Sequence, residues 1–188
     1  MGNPDDEDTD VQKPRTAKRK GREVTTTNGQ PPAPGFEDAP APQPQGADGQ
    51  HGAYWVLTAE ERGKGFVRPV RNSYRHVGPP LPTNLRDLTD EEKERHAGRG
   101  YVKFEEYPES ERPSMGRYWT AEQLDKAGKG CGTITTMGPQ IAETYAAQPD
   151  YYGSTFCVSC RQHLPVGKAG EFIWVDGMGR DTTERVGT

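Results

Sequence analysis

Gly130-Cys131-Gly132 and Phe156-Cys157-Val158-Ser159-Cys160-Arg161-Gln162-His163 contain every cysteine of the chain, and their reading decides the fold. Cys157 and Cys160 have the two-residue spacing at which both thiolates and the amides of the turn between them converge on one ion. Cys131 lies between two glycines, which permit close backbone approach to a metal. His163 adds an imidazole three positions after Cys160. Cys131, Cys157, Cys160 and His163 together form a candidate tetrahedral Zn2+ site of three thiolates and one imidazole, expected to be structural. The fourth donor is the least constrained, because His163 must curl back through a tight turn to reach the ion. His96, His76 or a water are the alternatives for that position.

Other uses of these cysteines fit the sequence less well. Three cysteines cannot all pair within one chain, and reduced thiols are the default where no export signal is present. A redox-active CxxC opens a long helix, and Pro165 stands five residues after Cys160. Haem attachment needs His directly after the second Cys, where Arg161 stands. A zinc deaminase wants His-x-Glu upstream and Pro before the first Cys of the pair, but Phe156 precedes Cys157 and no His-x-Glu exists. A catalytic role would have to recruit Glu143, and three thiolates also quench the Lewis acidity of the metal. Attack by Cys131 assisted by His163 is the remaining nucleophilic arrangement, and the cysteine spacing suits ligation better. The reading therefore leans away from an enzyme.

Composition explains why a metal would be needed. Only 30% of the 188 residues are hydrophobic, while Gly and Pro number 23 and 17, so the supply of core is thin for this length. Net charge is −4, which gives no global attraction to polyanions. No run of 18 apolar residues occurs, so no membrane span is expected. The charged N-terminus lacks the apolar stretch of a secretory signal, and an intracellular protein is expected.

Residues 1–52 read as a disordered low-complexity tail, followed by an α+β zinc-binding domain over 53–188. The tail holds an acidic run (Asp5, Asp6, Glu7, Asp8, Asp10), a basic run (Lys18, Arg19, Lys20, Arg22) and a Pro/Ala/Gln/Gly stretch. Apart from the first Met, its large apolar residues are Val11, Val24 and Phe36, too few to offset the entropy of ordering it. The basic run reads as a solvating linker. At Ala53-Tyr54-Trp55-Val56-Leu57 the composition changes. Capping boxes at Thr58-x-x-Glu61, Thr89-x-x-Glu92 and Thr120-x-x-Gln123 predict short helices near 59–63, 90–97 and 121–127. A fourth helix is predicted over 139–147, with Pro139 in its first turn and Pro149 ending it. Short antiparallel strands are expected at Gly65–Val70, Tyr101–Glu105, Thr155–Val158 and Glu171–Val175. The fold expected is thus a small irregular α+β domain around a zinc clip.

Between Arg62 and Arg86 stand six cations and no acid, interleaved with Phe66, Tyr74 and His76. Lys64, Arg68, Arg71 and Arg75 are candidate nucleic-acid contacts in this stretch. The favoured reading is instead structural, with the arginines paired to Glu91, Glu94, Glu105, Glu106 or Glu109.

Ala142-Glu143-Thr144-Tyr145-Ala146, Tyr152-Gly153, Thr155-Phe156-Cys157, Cys160, His163-Leu164-Pro165-Val166 and Glu171-Phe172-x-Trp174 form a recurring-looking set. On these residues the chain resembles a group of uncharacterised small proteins of bacteriophage and environmental bacterial genomes, over roughly 54–188. The resemblance implies a metal-binding protein of unassigned role and carries over no catalytic residue. The expectation is a non-enzymatic zinc-stabilised interaction module, phage-associated, with a protein partner. Nucleic-acid binding through the basic stretch and a zinc hydrolase or deaminase are the alternatives.

Overall fold

Three of the four predicted helices start at a threonine whose hydroxyl caps them, and the fourth starts at Pro139. In the computed structural model, which describes residues 17–29, 45–107 and 116–188, the helices are α1 (Ala59–Gly63), α2 (Asp90–Arg95), α3 (Ala121–Lys126) and α4 (Pro139–Ala147). Thr89 and Glu92 exchange both bonds of a capping box, and so do Thr120 and Gln123. At α1 the exchange is half made. Thr58 Oγ1 accepts from the Glu61 amide, but the Glu61 carboxylate turns to Lys64 Nζ at 2.6 Å and Arg22 Nε at 3.7 Å. Gly98 and Gly128 follow α2 and α3 with positive φ, as helix ends favour.

The strands are short and antiparallel. They are β1 (Ala17–Arg19), β2 (Arg22–Thr26), β3 (Trp55–Leu57), β4 (Ser73–His76), β5 (Leu85–Asp87), β6 (Tyr101–Glu105), β7 (Arg117–Thr120), β8 (Ile134–Thr136), β9 (Ser154–Cys157), β10 (Gln162–Pro165), β11 (Phe172–Val175) and β12 (Asp181–Arg185). They form sheets β1-β2-β3, β5-β6-β7, β12-β11-β4-β8 and the hairpin β9-β10. The fold is therefore α+β, as the sequence predicts. The segment 65–70 is not a strand. The amides of Val67 and Arg68 both donate to the Ala146 carbonyl at the end of α4, at 2.9 and 3.1 Å, so this stretch closes a helix instead of joining a ladder.

Two buried clusters carry the packing. One gathers Tyr74, Met137, Ala142, Tyr145, Cys157, Phe172, Trp174 and Val186, with Tyr74 set edge-on to Phe172 at 5.3 Å. The other holds Val24, Trp55, Leu57, Ala147 and Tyr151, and Tyr152 packs against both. Thr144 joins α4 to β3, since its fully buried hydroxyl accepts the Leu57 amide at 3.1 Å and donates to the Gln140 carbonyl at 2.8 Å.

Part of the stretch expected to be disordered is folded. Lys20 and Gly21 have φ of 48° and 77°, the pair of left-handed residues that a tight two-residue hairpin loop requires. The resulting β1–β2 hairpin pairs with β3 and buries Val24 completely. Its cations face the domain. Lys20 meets Asp150 at 2.9 Å, Arg22 donates to the Ala147 carbonyl at 3.3 Å, and Arg19 lies over the Tyr151 ring at 4.7 Å. Composition missed this because one well-placed valine and a turn anchor the segment. Residues 45–51 also turn back on themselves, through a Gln45–His51 bridge. Residues 1–16 and 30–44 of the expected tail lie outside the described residues. We predict that Val24→Ala lowers unfolding free energy by about 2 kcal/mol, read by denaturant melts. An unchanged midpoint would mean that the hairpin is not part of the fold.

Candidate metal centre

His76 is the last residue of β4, and the alternation of that strand puts Tyr74 and His76 on its buried side. The turn after α3 is fastened to the same strand end. The Gly132 amide donates to the His76 carbonyl at 2.9 Å, and the His76 amide donates to the Thr133 carbonyl at 3.2 Å. Gly130 fits only because it has no side chain, since a Cβ there would lie 2.3 Å from the His76 carbonyl oxygen. This contact delivers Cys131 to the imidazole. Cys157 ends β9, and Cys160 sits in the turn that leads to β10. That turn closes through the Arg161 amide on the Cys157 carbonyl at 2.8 Å, with Arg161 at a φ of 54°. Tyr74 Oη donates to the Phe156 carbonyl at 2.7 Å and so holds the hairpin against β4.

The result brings His76, Cys131, Cys157 and Cys160 together, with their ligand atoms all within 4.8 Å of one another. Cys131 Sγ is 3.3 Å from His76 Nδ1 and 3.5 Å from Cys157 Sγ, and Cys160 Sγ is 3.4 Å from His76 Nδ1. The edges of a tetrahedron of sulfur and nitrogen around a zinc-sized ion are about 3.6–3.8 Å, so the spacing matches that of a ligand cage. These four residues can hold a metal ion.

Glu171 stands behind the imidazole. Its Oε2 is 2.9 Å from His76 Nε2, so the ring is held with a proton on Nε2 and a lone pair on Nδ1. The Cys131 amide, which donates to Nδ1 at 3.3 Å, requires the same tautomer. The lone pair aimed at the sulfurs is thus the one a metal would take. His76 and Cys157 are buried, Cys160 is half-buried and Cys131 is exposed, which leaves a route from solvent.

The thiols differ in acidity. Desolvation raises the Cys131 pKa, but hydrogen bonds led by those from Thr133 outweigh it and bring the thiol down to about 6. Desolvation first, and then the sulfurs of Cys157 and Cys131, push Cys160 up to about 12. Neighbouring sulfurs cannot all carry charge unaided, and a bound cation lifts that restriction.

Of the four residues expected to ligate, the three cysteines converge and His163 does not join them. In the β9–β10 ladder His163 pairs with Phe156 while Cys157 pairs with Gln162, and successive residues face opposite sides. His163 therefore points away from Cys157. Its Nε2 lies 3.2 Å from Tyr54 Oη, its Nδ1 lies 3.4 Å from Gln45 Nε2, and its ring centre lies 4.4 Å from that of His51. His96 is in the β5-β6-β7 region, 4.4 Å from the Tyr118 ring. His76 was among the alternatives. Its signal was the buried-side alternation with Tyr74, which the strand expected at 65–70 had obscured.

The basic stretch is internally engaged. Lys64 pairs with Glu61, Arg71 with Glu184, Arg75 with Asp181 at 2.6 Å, and Arg68 donates to the Thr188 carbonyl at 3.3 Å. Arg86 bridges Glu92 and Glu106, each at 2.7 Å. Of the acids expected to pair with this stretch only Glu106 does so among the described residues, and Glu109 lies outside them. Glu143, the candidate catalytic acid, takes Arg62 Nε at 2.7 Å. No known protein family matches this chain, and no curated protein or solved structure matches it either.

Two outcomes follow from this geometry. Glu171→Gln should weaken metal binding about 10- to 100-fold in a chelator competition, with the fold retained by circular dichroism; equal affinity would remove Glu171 from the site. Metal affinity should also fall as pH is lowered from about 8 to 6, because the Cys160 proton must leave on binding and Cys131 begins to hold its own proton near 6. Affinity that stays level across that range would contradict thiolate ligation.

Proposed function

We propose that this chain is a non-enzymatic, zinc-stabilised interaction module in which His76, Cys131, Cys157 and Cys160 ligate one Zn2+. The observation that carries the reading is the set of four donor atoms within 4.8 Å, backed by a carboxylate on the free imidazole nitrogen. Three thiolates and one imidazole form a soft, tetrahedral donor set that suits zinc over harder cations. With four protein donors the shell is closed, which suits a structural ion and leaves no position for an activated water. The donors come from β4, the Gly-Cys-Gly turn and the β9–β10 hairpin, so one ion would fasten three segments. Ligation of this kind can contribute about 10 kcal/mol to folding in small domains.

A protein partner is the interaction this reading favours. Phe66, Val67 and Val70 are 48%, 68% and 46% exposed within one short irregular loop, an apolar surface that a partner would cover. Contact with a phosphate backbone through Lys64, Arg68, Arg71 and Arg75 draws less support, because each cation already has an acceptor in the chain.

Metal analysis of the purified chain should find one zinc per molecule. Cys157→Ser and His76→Ala should lose it and melt at lower temperature, while His163→Ala should keep it. A chain without metal would defeat the proposal. Zinc retained by His76→Ala but lost from His163→Ala would defeat the ligand assignment.

A further inference from the structure

The three thiols of the cluster are unequally open to solvent. Cys131 is exposed, Cys160 is half-buried and Cys157 is fully buried. The turn that carries Cys131 is open beside it, because a Cβ built on Gly132 would meet no atom within 4 Å. A dissolved oxidant therefore meets Cys131 before it meets either of the other two.

Behind that exposed sulfur stands a second one. Cys131 Sγ lies 3.5 Å from Cys157 Sγ, although the two residues are 26 apart in sequence. A disulfide needs about 2.0 Å between its sulfurs, and side-chain rotation at Cys131 can close a gap of this size. An accessible thiolate with a resolving thiol at contact distance is the arrangement that turns a sulfenic acid into a disulfide before further oxidation.

We propose that a peroxide oxidises Cys131, that Cys157 completes a Cys131–Cys157 disulfide, and that the zinc is released as a result. The inference rests on the zinc reading above and adds the regulation of that site. In the first step the Cys131 thiolate sulfur attacks one peroxide oxygen. The O–O bond breaks, hydroxide leaves, and Cys131 becomes a sulfenic acid. The Cys157 thiolate then attacks the Cys131 sulfur, the S–O bond breaks, and a second hydroxide leaves. Two thiolates have given two electrons to the peroxide, and the ion has lost two of its four donors. His76 and Cys160 remain, too few to fill a tetrahedral zinc shell. The departing ion no longer fastens the end of β4 to the β9–β10 hairpin, while the disulfide keeps the Gly-Cys-Gly turn on that hairpin. In this device the exposed thiol is the trigger and the buried one resolves it. The bridge is not the one that the Cys157/Cys160 spacing suggests.

The test treats the full chain, with its zinc content measured beforehand, with hydrogen peroxide. Zinc release is followed with a chromogenic chelator, and the sulfurs are located by peptide mapping with and without dimedone, which traps sulfenic acids. Dimedone should label Cys131 first. Without it, a Cys131–Cys157 disulfide should form in step with the release of one zinc per chain, and a thiol reductant with added zinc should restore the starting state. Cys131→His keeps four donors and removes the exposed thiol, so its zinc should leave about tenfold more slowly; should that variant not hold zinc, the mapping on the unaltered chain decides alone. Zinc retained while Cys131 is oxidised, first labelling at Cys157 or Cys160, or a Cys157–Cys160 bridge would each overturn the inference. A chain without zinc before peroxide is added fails the metal reading and the release with it, whereas a zinc-loaded chain that keeps its metal through oxidation fails only the present inference.

Discussion

Three sulfurs and an imidazole nitrogen within 4.8 Å of one another form an arrangement that thiols alone hold poorly. Desolvation and the neighbouring sulfurs displace Cys160 toward base, because charge on one sulfur discourages charge on the next, while hydrogen bonds led by those from Thr133 displace Cys131 toward acid. A divalent ion at the centre reverses that relation, because each thiolate then neutralises part of the same charge. Backbone contacts at the end of the β4–β8 ladder bring the cluster together, above all the passage of Gly130 across the His76 carbonyl. On the proposed reading, zinc joins the end of β4, in the four-stranded sheet, to the separate β9–β10 hairpin. With so little apolar sequence available, that link supplies what a larger core would otherwise provide.

The rest of the molecule follows the same economy. Its apolar side chains divide into two modest clusters bridged by Tyr152, and polar contacts connect the parts between them. Thr144 holds α4 to β3 through its hydroxyl, and Arg62 ties α1 to Glu143 on α4. Within the stretch of cations that looks like a polyanion-binding stripe in the linear sequence, Arg71 and Arg75 are paired with acids from a distant segment. Glu184 and Asp181 both come from β12, over one hundred residues after the arginines they meet.

Local chemistry was legible in the sequence where it is local in cause. Helix starts were read from Thr89, Thr120 and Pro139, because a cap and its helix lie within four residues. The strand Tyr101–Glu105 was read from its alternation. Three of the four residues in the metal cluster were read from cysteine spacing. What stayed hidden depended on tertiary partners. His163 lies close to Cys160 in sequence but faces the opposite side of a hairpin from Cys157, whereas His76 arrives from a strand 55 residues before Cys131. The hairpin over residues 17–26 escaped because a composition count cannot register that Lys20-Gly21 makes a turn and that Val24 finds Leu57 across a ladder. Gly65–Val70 had the residues of a strand but was captured by the end of α4.

X-ray absorption at the zinc edge on the purified protein addresses the central claim directly, because it reports the atoms bound to the metal. The account predicts a first shell of three sulfurs at about 2.3 Å and one nitrogen at about 2.0–2.1 Å. A shell built of oxygen and nitrogen alone, or a preparation with no metal edge to measure, would contradict it.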